Sequence, residues 1–513
     1  MDAVLMHRRR WWTLAVMALS LLVIGLDNTI LNVALPTLVR ELGASASQLQ
    51  WIVDAYILVF AGLLLTMGAL GDRFGRKRAL NIGLVLFGLG SLGAAYSGSA
   101  EMLIATRAAM GVGGALIMPS TLSIITNVFS GPERGRAIGA WAAMSGLGII
   151  GGPVLGGWLL ERFWWGSVFL VNVPIVLIAV AAGRFLVPES KDPAATPLDP
   201  VGAGLSIAGL GALVYAIIEA PARGWTDPMI LGAFGLAAIL LGVLVWWELQ
   251  APYPMLKMTF FRNPRFSAAS ASITLVFFAM FGTVFLIAQY LQFVLGFSPF
   301  QAGIRVMPVA TLIIAAPLSA RLTERLGTKA VVTTGLLLVA TALGILAMVE
   351  PGGGYGRVAL ALSVMGLGMG TTMAPATESI MGSLPLAKAG VGSAMNDTTR
   401  QVGGALGVAV LGSVLASTYT TAMTGAVVGL PAPAAELALD SVGGAARVAA
   451  QLGDAGAGLL QAAAAAFVDG MGNAVWVAAA VAVIGAVVAM VFLPATAVMP
   501  AADDKTGITV EAG

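Results

Sequence analysis

Fourteen apolar runs, each long enough to cross a lipid bilayer, constrain the fold of this chain more than any other feature. A helix needs about 20 predominantly apolar residues to span the hydrocarbon core. Such runs begin near residues 11, 49, 79, 101, 136, 167, 200, 229, 268, 301, 329, 357, 391 and 471. Only 10% of the residues are charged, against about a quarter in soluble proteins. The sequence therefore predicts an all-α polytopic membrane protein with fourteen transmembrane helices.

The distribution of Lys and Arg predicts the orientation. With the N-terminus in the cytoplasm, 19 of the 27 basic residues lie in or beside cytoplasmic connections, five lie outside and three lie within the membrane. Cytoplasmic loops of membrane proteins carry this excess of positive charge. Because fourteen is even, both termini are expected in the cytoplasm, and the protein is expected in the inner membrane.

Several kinds of chemistry are excluded by composition. The chain has no Cys, so disulfides, thiolate metal sites and Cys nucleophiles are excluded. Its only His is His7, in an Arg-rich N-terminal tail. No loop has the G-x-x-x-x-G-K pattern that cradles nucleotide phosphates. We expect no enzyme activity, no metal site, no cofactor and no nucleic-acid partner.

A short motif occurs twice at equivalent places. Residues 71–77 read GDRFGRK after the second run, and residues 323–329 read TERLGTK after the tenth. Both place an acid, an Arg, a Gly and a Lys at the cytoplasmic end of a helical hairpin. This repetition predicts two six-helix halves, residues 1–188 and 267–513, with two inserted helices and their linkers in residues 189–266. Within the second half, residues 419–470 are expected to form a long outer loop, which could include an amphipathic helix lying on the membrane, and residues 501–513 a disordered cytoplasmic tail.

The sequence resembles the fourteen-helix drug:proton antiporter branch of the major facilitator superfamily, whose members have two such halves. The resemblance covers nearly the whole chain. The matching motifs are residues 68–78 (GALGDRFGRKR), residues 26–36 (LDNTILNVALP), Arg107 with Gly111, Gly148 with Gly152, Pro153, Gly156 and Gly157, and residues 290–292 with 296–299. The first motif is typical of the superfamily, and the stripe on helix 5 is typical of exporters.

This resemblance implies a monomeric exporter of hydrophobic, often cationic drugs that is driven by the proton gradient. Two related functions remain open: an exporter of an endogenous metabolite, lipid or siderophore, and a monovalent cation/proton antiporter. A membrane receptor without transport activity is a different class, and it would need a folded signalling domain. The short cytoplasmic connections leave no room for one.

Three charged residues are predicted within the outer half of the membrane. Asp27 lies about 24 Å along helix 1, while Asp54 on helix 2 and Arg107 on helix 4 lie about 8–9 Å from the outside. Charged groups at such depth are costly and are therefore paired or functional. Asp27 is either a static partner of Arg107 or a protonatable group that attracts cationic substrates. The resemblance favours the second reading for Asp27 and Asp54.

A second charged cluster is predicted near the cytoplasm. Asp397 and Arg400 are three residues apart, on one face of helix 13. Glu378 lies near the cytoplasmic end of helix 12. These residues are expected to form a local salt bridge or to take part in coupling. Polar residues expected to line the substrate cavity are Asn28, Asn32, Tyr56, Gln289 and Gln292.

The remaining predictions concern the two motifs. The cytoplasmic gate loop comprises Gly68, Gly71, Asp72, Arg73, Gly75 and Arg76. Asp72 is expected to face the positive N-terminal end of helix 13, a contact worth about 0.3–1 kcal/mol. On helix 5, Gly148, Gly152 and Gly156 recur every four residues as a smooth stripe, while Pro153 kinks the helix. The inserted helices 7 and 8 are expected to pack peripherally.

Overall fold

The computed structural model describes residues 3–129, 131–191, 198–254, 257–383 and 389–495. Every regular element in these ranges is helical, as the sequence predicts. The predicted cytoplasmic tail, residues 501–513, and the side chain of His7 lie outside the described part. The α-helices are α1 (Ala3–Leu42), α2 (Ala46–Phe74), α3 (Arg76–Ala95), α4 (Ala100–Val128), α5 (Gly131–Arg162), α6 (Ser167–Leu170), α7 (Asn172–Leu186), α8 (Pro200–Arg223), α9 (Pro228–Gln250), α10 (Pro264–Gln289), α11 (Pro299–Arg305), α12 (Leu312–Ala347), α13 (Tyr355–Gly382), α14 (Ala389–Met423), α15 (Ala432–Asp440), α16 (Val442–Leu452) and α17 (Ala457–Phe492).

Short polar residues set the starts of many of these helices. Ser45 before α2 and Ser298 before α11 each form a capping box with the Gln three residues later. Asp199 before α8 and Asp227 before α9 cap their helices through a side-chain carboxylate, and Pro follows each of them. Such caps satisfy backbone N–H groups that have no partner within the helix.

The described helices supply fourteen membrane crossings. Twelve helical stretches are long and apolar enough to span a bilayer, and one of them, Pro299–Ala347, contains 49 residues. That stretch breaks at Gly327, whose φ of 80° is left-handed, so it forms two crossings. The 32-residue α5 adds another. Gly327 belongs to the second copy of the repeated motif, which explains why the chain turns there.

The bundle has two ends that differ in character. We call the end with the α2–α3 connection at Gly75 and the α7–α8 connection the basic end. The other end carries residues 424–456, which we call the cap. Four hydrogen bonds between described residues of α1–α7 and of α10–α17 lie at the cap end. These bonds are Ala46 N to Asp440 (3.0 Å), Gln292 Nε2 to Val33 O (2.9 Å), Phe300 N to Glu161 (3.3 Å) and Arg447 Nη1 to Val39 O (3.4 Å). The structure is therefore closed at the cap end.

The cap differs from the predicted loop over residues 419–470. Helix α14 continues to Met423 and α17 already begins at Ala457, and the connection between them contains α15 and α16. Helix α16 buries Gly443 against Val39 of α1 and the Phe293 ring, so it packs on protein. The outer connection is therefore shorter than the predicted 419–470 and partly helical, because Ala and Gly residues allow close helix packing as readily as they populate loops. That part of it lies on the membrane stays a prediction.

The first inserted helix contacts more of the bundle than its predicted peripheral packing requires. Helix α8 contacts both α2 and α14 and so bridges the two groups of helices. A Cβ at Gly62 of α2 would collide with Ile207 of α8. The Trp51 indole of α2 donates a hydrogen bond to Glu219 of α8 (3.3 Å). Helix α9 packs mainly on α8 and faces outward, with few buried residues.

The absence of native Cys allows a direct test of topology. We expect an impermeant maleimide to label Val428→Cys in intact cells, because Val428 in the cap is 83% exposed. Lys191→Cys, which is exposed at the basic end, should react only after the membrane is opened. The unmodified chain is the control and gives no background. Labelling of both variants from the same side would contradict the fourteen-helix topology.

Candidate functional site

A buried ion pair joins three helices of the first half. Arg107 of α4 and Asp27 of α1 form a short charge-assisted hydrogen bond, and both side chains are almost completely buried. The Arg107 Nε donates to the Ile52 carbonyl of α2 (3.1 Å). Its guanidinium also lies 4.4 Å from the centre of the Tyr56 ring. The planar guanidinium can make these contacts together, which a Lys ammonium cannot.

Residues of two further helices complete this network, and sequence reasoning missed them. Asn172 of α7 donates to the second Asp27 oxygen (3.2 Å) and to Ser91 of α3 (2.9 Å). The Ser91 hydroxyl in turn donates to the Phe169 carbonyl (3.1 Å). Asn172 and Ser91 are fully buried. The only signal in the sequence was a pair of isolated polar residues within each apolar run, which does not identify their partners.

Asp54 lies apart from this network on another face of α2. It is fully buried, and neither carboxylate oxygen has a hydrogen-bond partner among the described residues. Ile52 and Tyr56, one turn apart, face α4, so Asp54 between them in sequence points away. It shares a face with Gln50, whose amide packs against Gly412 of α14. Asp54 is thus directed toward the contact between α2 and the second half of the chain.

The predicted cavity residues lie in four different places. Tyr56 is fully buried beneath Arg107 and belongs to the ion-pair network. Gln292 is bound to Val33 and holds the two halves together at the cap end. Gln289 is bound to its own helix and lines a small cavity with Gln50. Asn32 is buried, with its amide bound to the Asn28 carbonyl, and Asn28 is half-buried.

The basic-end cluster contains two of its three predicted members. Arg400 and Asp397 of α14 lie 3.9 Å apart, and both are mostly buried. Arg400 also donates to the Thr377 hydroxyl of α13 (3.4 Å) and lies over the Phe277 ring of α10. Glu378, next to Thr377, is exposed. No contact of Glu378 with Asp397 or Arg400 occurs among the described residues, because consecutive helical residues point in different directions.

The gate loop is held mainly by its own half. Asp72 binds Arg76 one turn later (2.7 Å), and Arg76 also donates to the Ser123 carbonyl of α4 (3.5 Å). Arg73 is exposed, above the ring of Phe74. Gly68 and Gly71 allow α2 to approach Pro119 and Ser120 of α4.

Gly75 is required for two reasons. Its φ is 124°, and a Cβ there would lie 2.8 Å from a carboxylate oxygen of Glu189. Glu189 accepts from the Lys77 N–H (3.1 Å), and the Ser190 carbonyl accepts from the Arg76 N–H (2.9 Å). The segment after α7 thus holds the gate loop, which the sequence did not predict. The predicted contact of Asp72 with α14 stays a prediction, because residues 384–388 and the side chains of residues 389–394 lie outside the described part.

The stripe on helix 5 brings backbones into direct contact. A Cβ at Gly148 would lie 2.8 Å from the Gly25 backbone of α1, and Gly152 and Gly156 face Thr29 and Ile30 in the same way. Thr29 donates to the Gly148 carbonyl (3.2 Å).

Gly157 faces the second half of the chain. It packs against the backbone of Pro299 and Phe300, and Gly303 of α11 packs against the Pro153 carbonyl. The stripe thus packs α5 against α1, while Gly157 and Gly303 pack α5 against α11 at the cap end.

Comparison with known proteins gives one consistent picture. The sequence profile of the Major Facilitator Superfamily matches residues 17–408. The multidrug efflux pump LfrA of Mycolicibacterium smegmatis is 38% identical over 383 residues, which are 74% of this chain and 76% of that protein. The methyl viologen resistance protein SmvA of Salmonella typhimurium is 39% identical over 388 residues, 74% of this chain and 77% of that protein. The tetracenomycin C resistance and export protein of Streptomyces glaucescens is 33% identical over 379 residues, 74% and 70% of the two chains.

A solved structure shares the fold. The crystal structure of a bacterial homologue of the human lysosomal transporter Spinster, inward-facing and unoccupied, matches with a TM-score of 0.66. It covers 94% of this chain and 97% of that chain at 17% identity, so the likeness concerns the fold alone.

A pair of glycine variants tests the seal at the cap end. In Gly157→Ala the new Cβ overlaps the Phe300 backbone, which cannot move aside, whereas in Gly151→Ala it meets only Leu26 at 3.9 Å. Overpacking costs about 1–3 kcal/mol, or at least about fivefold in an equilibrium between closed and open forms. With Gln292→Cys as reporter, we expect faster maleimide labelling from the cap side in Gly157→Ala and no change in Gly151→Ala. Equal rates in the two variants would contradict the assigned role of the stripe.

A double-mutant cycle tests whether the Asp27–Arg107 pair is charged. Asp27→Asn should lower the free energy of unfolding by about 3–5 kcal/mol, because it leaves a buried guanidinium without a counter-ion. Adding Arg107→Gln should recover most of that loss. Denaturant unfolding of the purified protein measures both, with Glu378→Gln as an exposed control. Unchanged stability in Asp27→Asn alone would mean that the pair carries no charge in the resting protein.

Proposed function

Because this chain belongs to the major facilitator superfamily, we propose that it exports hydrophobic, often cationic drugs in exchange for protons. The relatives named for multidrug efflux, methyl viologen and tetracenomycin C resistance support drug export. The relative named as a multidrug efflux pump favours a drug exporter of broad range over a transporter of one metabolite or a monovalent cation.

The proposal of proton coupling rests mainly on the environment of Asp54, which is buried without a hydrogen-bond partner among the described residues. An ionised carboxylate without a partner is very costly to bury, so a buried acid of this kind either takes up a proton or receives a cation. Asp54 has no hydrogen-bond partner among the described residues and lies where α2 meets α14. Its surroundings change whenever the two halves move relative to each other. A protonated Asp54 suits the closed contact, while a cationic drug favours the ionised form.

The Asp27 network provides the other part of the proposed coupling mechanism. Asp27 is bound to Arg107 and Asn172, so its charge is compensated in this structure. Protonation of Asp27 would neutralise its carboxylate and remove one of the three contacts of Arg107. Helix α1 would then be held less tightly to α4. We assign Asp27 as the group that communicates proton binding to the helices of the first half. Asp397 and Arg400 would respond similarly in the second half.

The proposed orientation places the basic end in the cytoplasm. The positive charge of the gate loop and of the α7–α8 connection favours this assignment. The drug would reach the site from the cytoplasm or the inner leaflet while the cap end is closed. Protons from outside would then reload the acids after the halves rearrange, and the drug would leave past the cap.

The moving parts of this proposal are the two halves. Residues 1–188 and 267–513 would rock as units, with residues 189–266 as an insertion between them. The protein would work as a monomer in the inner membrane, with both termini in the cytoplasm. It would use the proton gradient as its energy source, without a cofactor or a nucleic-acid partner.

Dye uptake into inverted vesicles tests this function. We expect a proton gradient to drive uptake of ethidium in vesicles that contain the chain and not in vesicles without it. Asp54→Asn should reduce the driven rate by at least about fivefold, the low end of coupling between two sites. Passive exchange of ethidium should continue, because the variant keeps its shape and removes only the exchangeable proton.

Asp227→Asn is the matched control. Asp227 caps α9 through a carboxylate oxygen that Asn can replace, so its driven rate should equal that of the unmodified chain. Uptake that is unaffected by the proton gradient would contradict the proposed function. Normal driven uptake in Asp54→Asn would remove Asp54 from the coupling mechanism.

A further inference from the structure

A groove lies on the surface of the second half of the chain, beside the cap. Its volume is about 770 Å³, within the range of about 300–1,000 Å³ that is typical of small-molecule sites. The lining comes from the cap-end parts of α12, α14 and α17, together with Val349 just after α12. Helix α17 packs on both of the other helices. Because the first half contributes no described lining residue, the groove is separate from the seam between the halves.

The groove carries a negative charge that has no partner in the protein. Asp469, Asn473 and Trp476 recur at helical spacing on one face of α17, and all three are exposed. Among the described residues Asp469 forms neither an ion pair nor a hydrogen bond. The described lining contains no Lys, Arg or His. A ligand with a positively charged group would therefore match this face of α17.

The α14 side of the groove supplies neutral hydrogen-bond donors. The Asn473 amide donates to the Thr418 hydroxyl (3.4 Å), so the Thr418 proton remains available to an acceptor. The Ser417 hydroxyl oxygen is shielded from solvent and has no hydrogen-bond partner among the described residues. A buried hydroxyl of this kind costs free energy unless a ligand or a water molecule satisfies it. The groove thus combines one acid with donors for an anionic oxygen.

The length of α17 places this groove at the depth of lipid head groups. Its 36 residues span about 54 Å, which exceeds the hydrocarbon core of about 30 Å. With the core starting at Phe492, where the apolar helix ends, about 20 residues cross it and the core ends near residue 473. Asp469 then lies about 6 Å beyond the core. Trp476 lies at the boundary, where Trp is enriched in membrane proteins.

Below that boundary the same face of α17 is apolar. Val483 and Val487 follow Trp476 at helical spacing, and they are 44% and 56% exposed. One face of the helix therefore passes from an acid through an indole ring to aliphatic side chains. A free ammonium compound would use only the acid, whereas a lipid matches the whole sequence of groups. This order favours a lipid as the occupant.

We propose that the groove binds phosphatidylethanolamine from the leaflet at the cap end. The primary ammonium of the head group pairs with Asp469, and the phosphodiester oxygens accept hydrogen bonds from Ser417 and Thr418. The acyl chains lie along Val483 and Val487. A choline head group cannot donate a hydrogen bond to the Asp469 carboxylate, and the anionic head group of phosphatidylglycerol brings no cation to it. The site is separate from the proposed drug transport.

Lipid retention by the purified full chain tests this site. Native mass spectrometry is carried out with equal amounts of dioleoyl phosphatidylethanolamine, phosphatidylcholine and phosphatidylglycerol. We expect one phosphatidylethanolamine to be retained in preference to the other two lipids. Asp469→Asn should reduce this preference about fivefold, the upper end for an ion pair that water can reach. Asp454→Asn, which changes an exposed acid of the cap outside the groove, should leave the preference unchanged.

A second pair of variants fills the groove without disturbing the fold. A Cβ at Gly472 would meet only the Ala347 carbonyl oxygen at 3.8 Å, so a Leu side chain there can extend into the groove. Gly472→Leu should abolish retention of phosphatidylethanolamine. Gly458→Leu places the same side chain on α17 outside the groove, where a Cβ meets nothing within 4 Å, and should retain the lipid. Equal thermal unfolding of the two variants in phosphatidylcholine establishes that both are folded.

The other possible occupants give different results in the same experiment. Equal retention of the three lipids, a preference for phosphatidylglycerol, or full retention in Gly472→Leu would overturn the proposal. Displacement of phosphatidylethanolamine by equimolar ethidium in the unmodified chain, but not in Asp454→Asn, would also overturn it. A dimer without bound lipid would assign the groove to a second copy of the chain instead. Because transport is not measured, failure of the proposed drug export would leave these results unchanged.

Discussion

The cost of burying the Arg107 guanidinium organises the first half of this protein. A cation at this depth is stable only where several acceptors converge on it. Asp27, the Ile52 carbonyl and the Tyr56 ring provide them, and Asn172 orients Asp27 from a third direction. Helices α1, α2, α4 and α7 are therefore positioned around one charge. Asp54 is left out of this arrangement, as the role proposed for it as an independent proton site requires.

Close backbone packing is the second requirement of the fold. The buried charges determine which helices meet, and the glycine stripe of α5 determines how closely they approach. Close approach matters because helices in lipid gain little from the hydrophobic effect and depend on van der Waals packing. Gly148 against Gly25 and Gly157 against Phe300 leave no side chain between the helices. The cap adds polar contacts over this apolar seal through Asp440 and Arg447. The cap end thus combines tight backbone packing with polar contacts made by Asp440 and Arg447.

Sequence reasoning predicted the helices, because length and hydropathy are local properties of the chain. It offered the Asp27–Arg107 ion pair as one of two readings of Asp27, the less favoured one, and the structure contains that pair. It failed where contacts join distant segments. Nothing near Asn172 or Glu189 in sequence identifies their partners at Asp27 and Lys77. The cap was misjudged because small residues are compatible with loops and with packed helices. Glu378 was grouped with Arg400 by depth alone, although its direction on α13 is different.

The position of α8 limits how the two halves can move. Helix α8 contacts both α2 and α14. It can keep both contacts during a rocking motion only if it lies near the axis about which the halves rotate. If the two halves rock as proposed, the contact of α8 with α2 and α14 would lie near the axis of rotation. The contact between α5 and α11 would lie far from that axis, where the same rotation produces the largest opening. In the proposed motion α8 would then act as the hinge, and the glycine surface of α5 would lie where the two halves move furthest.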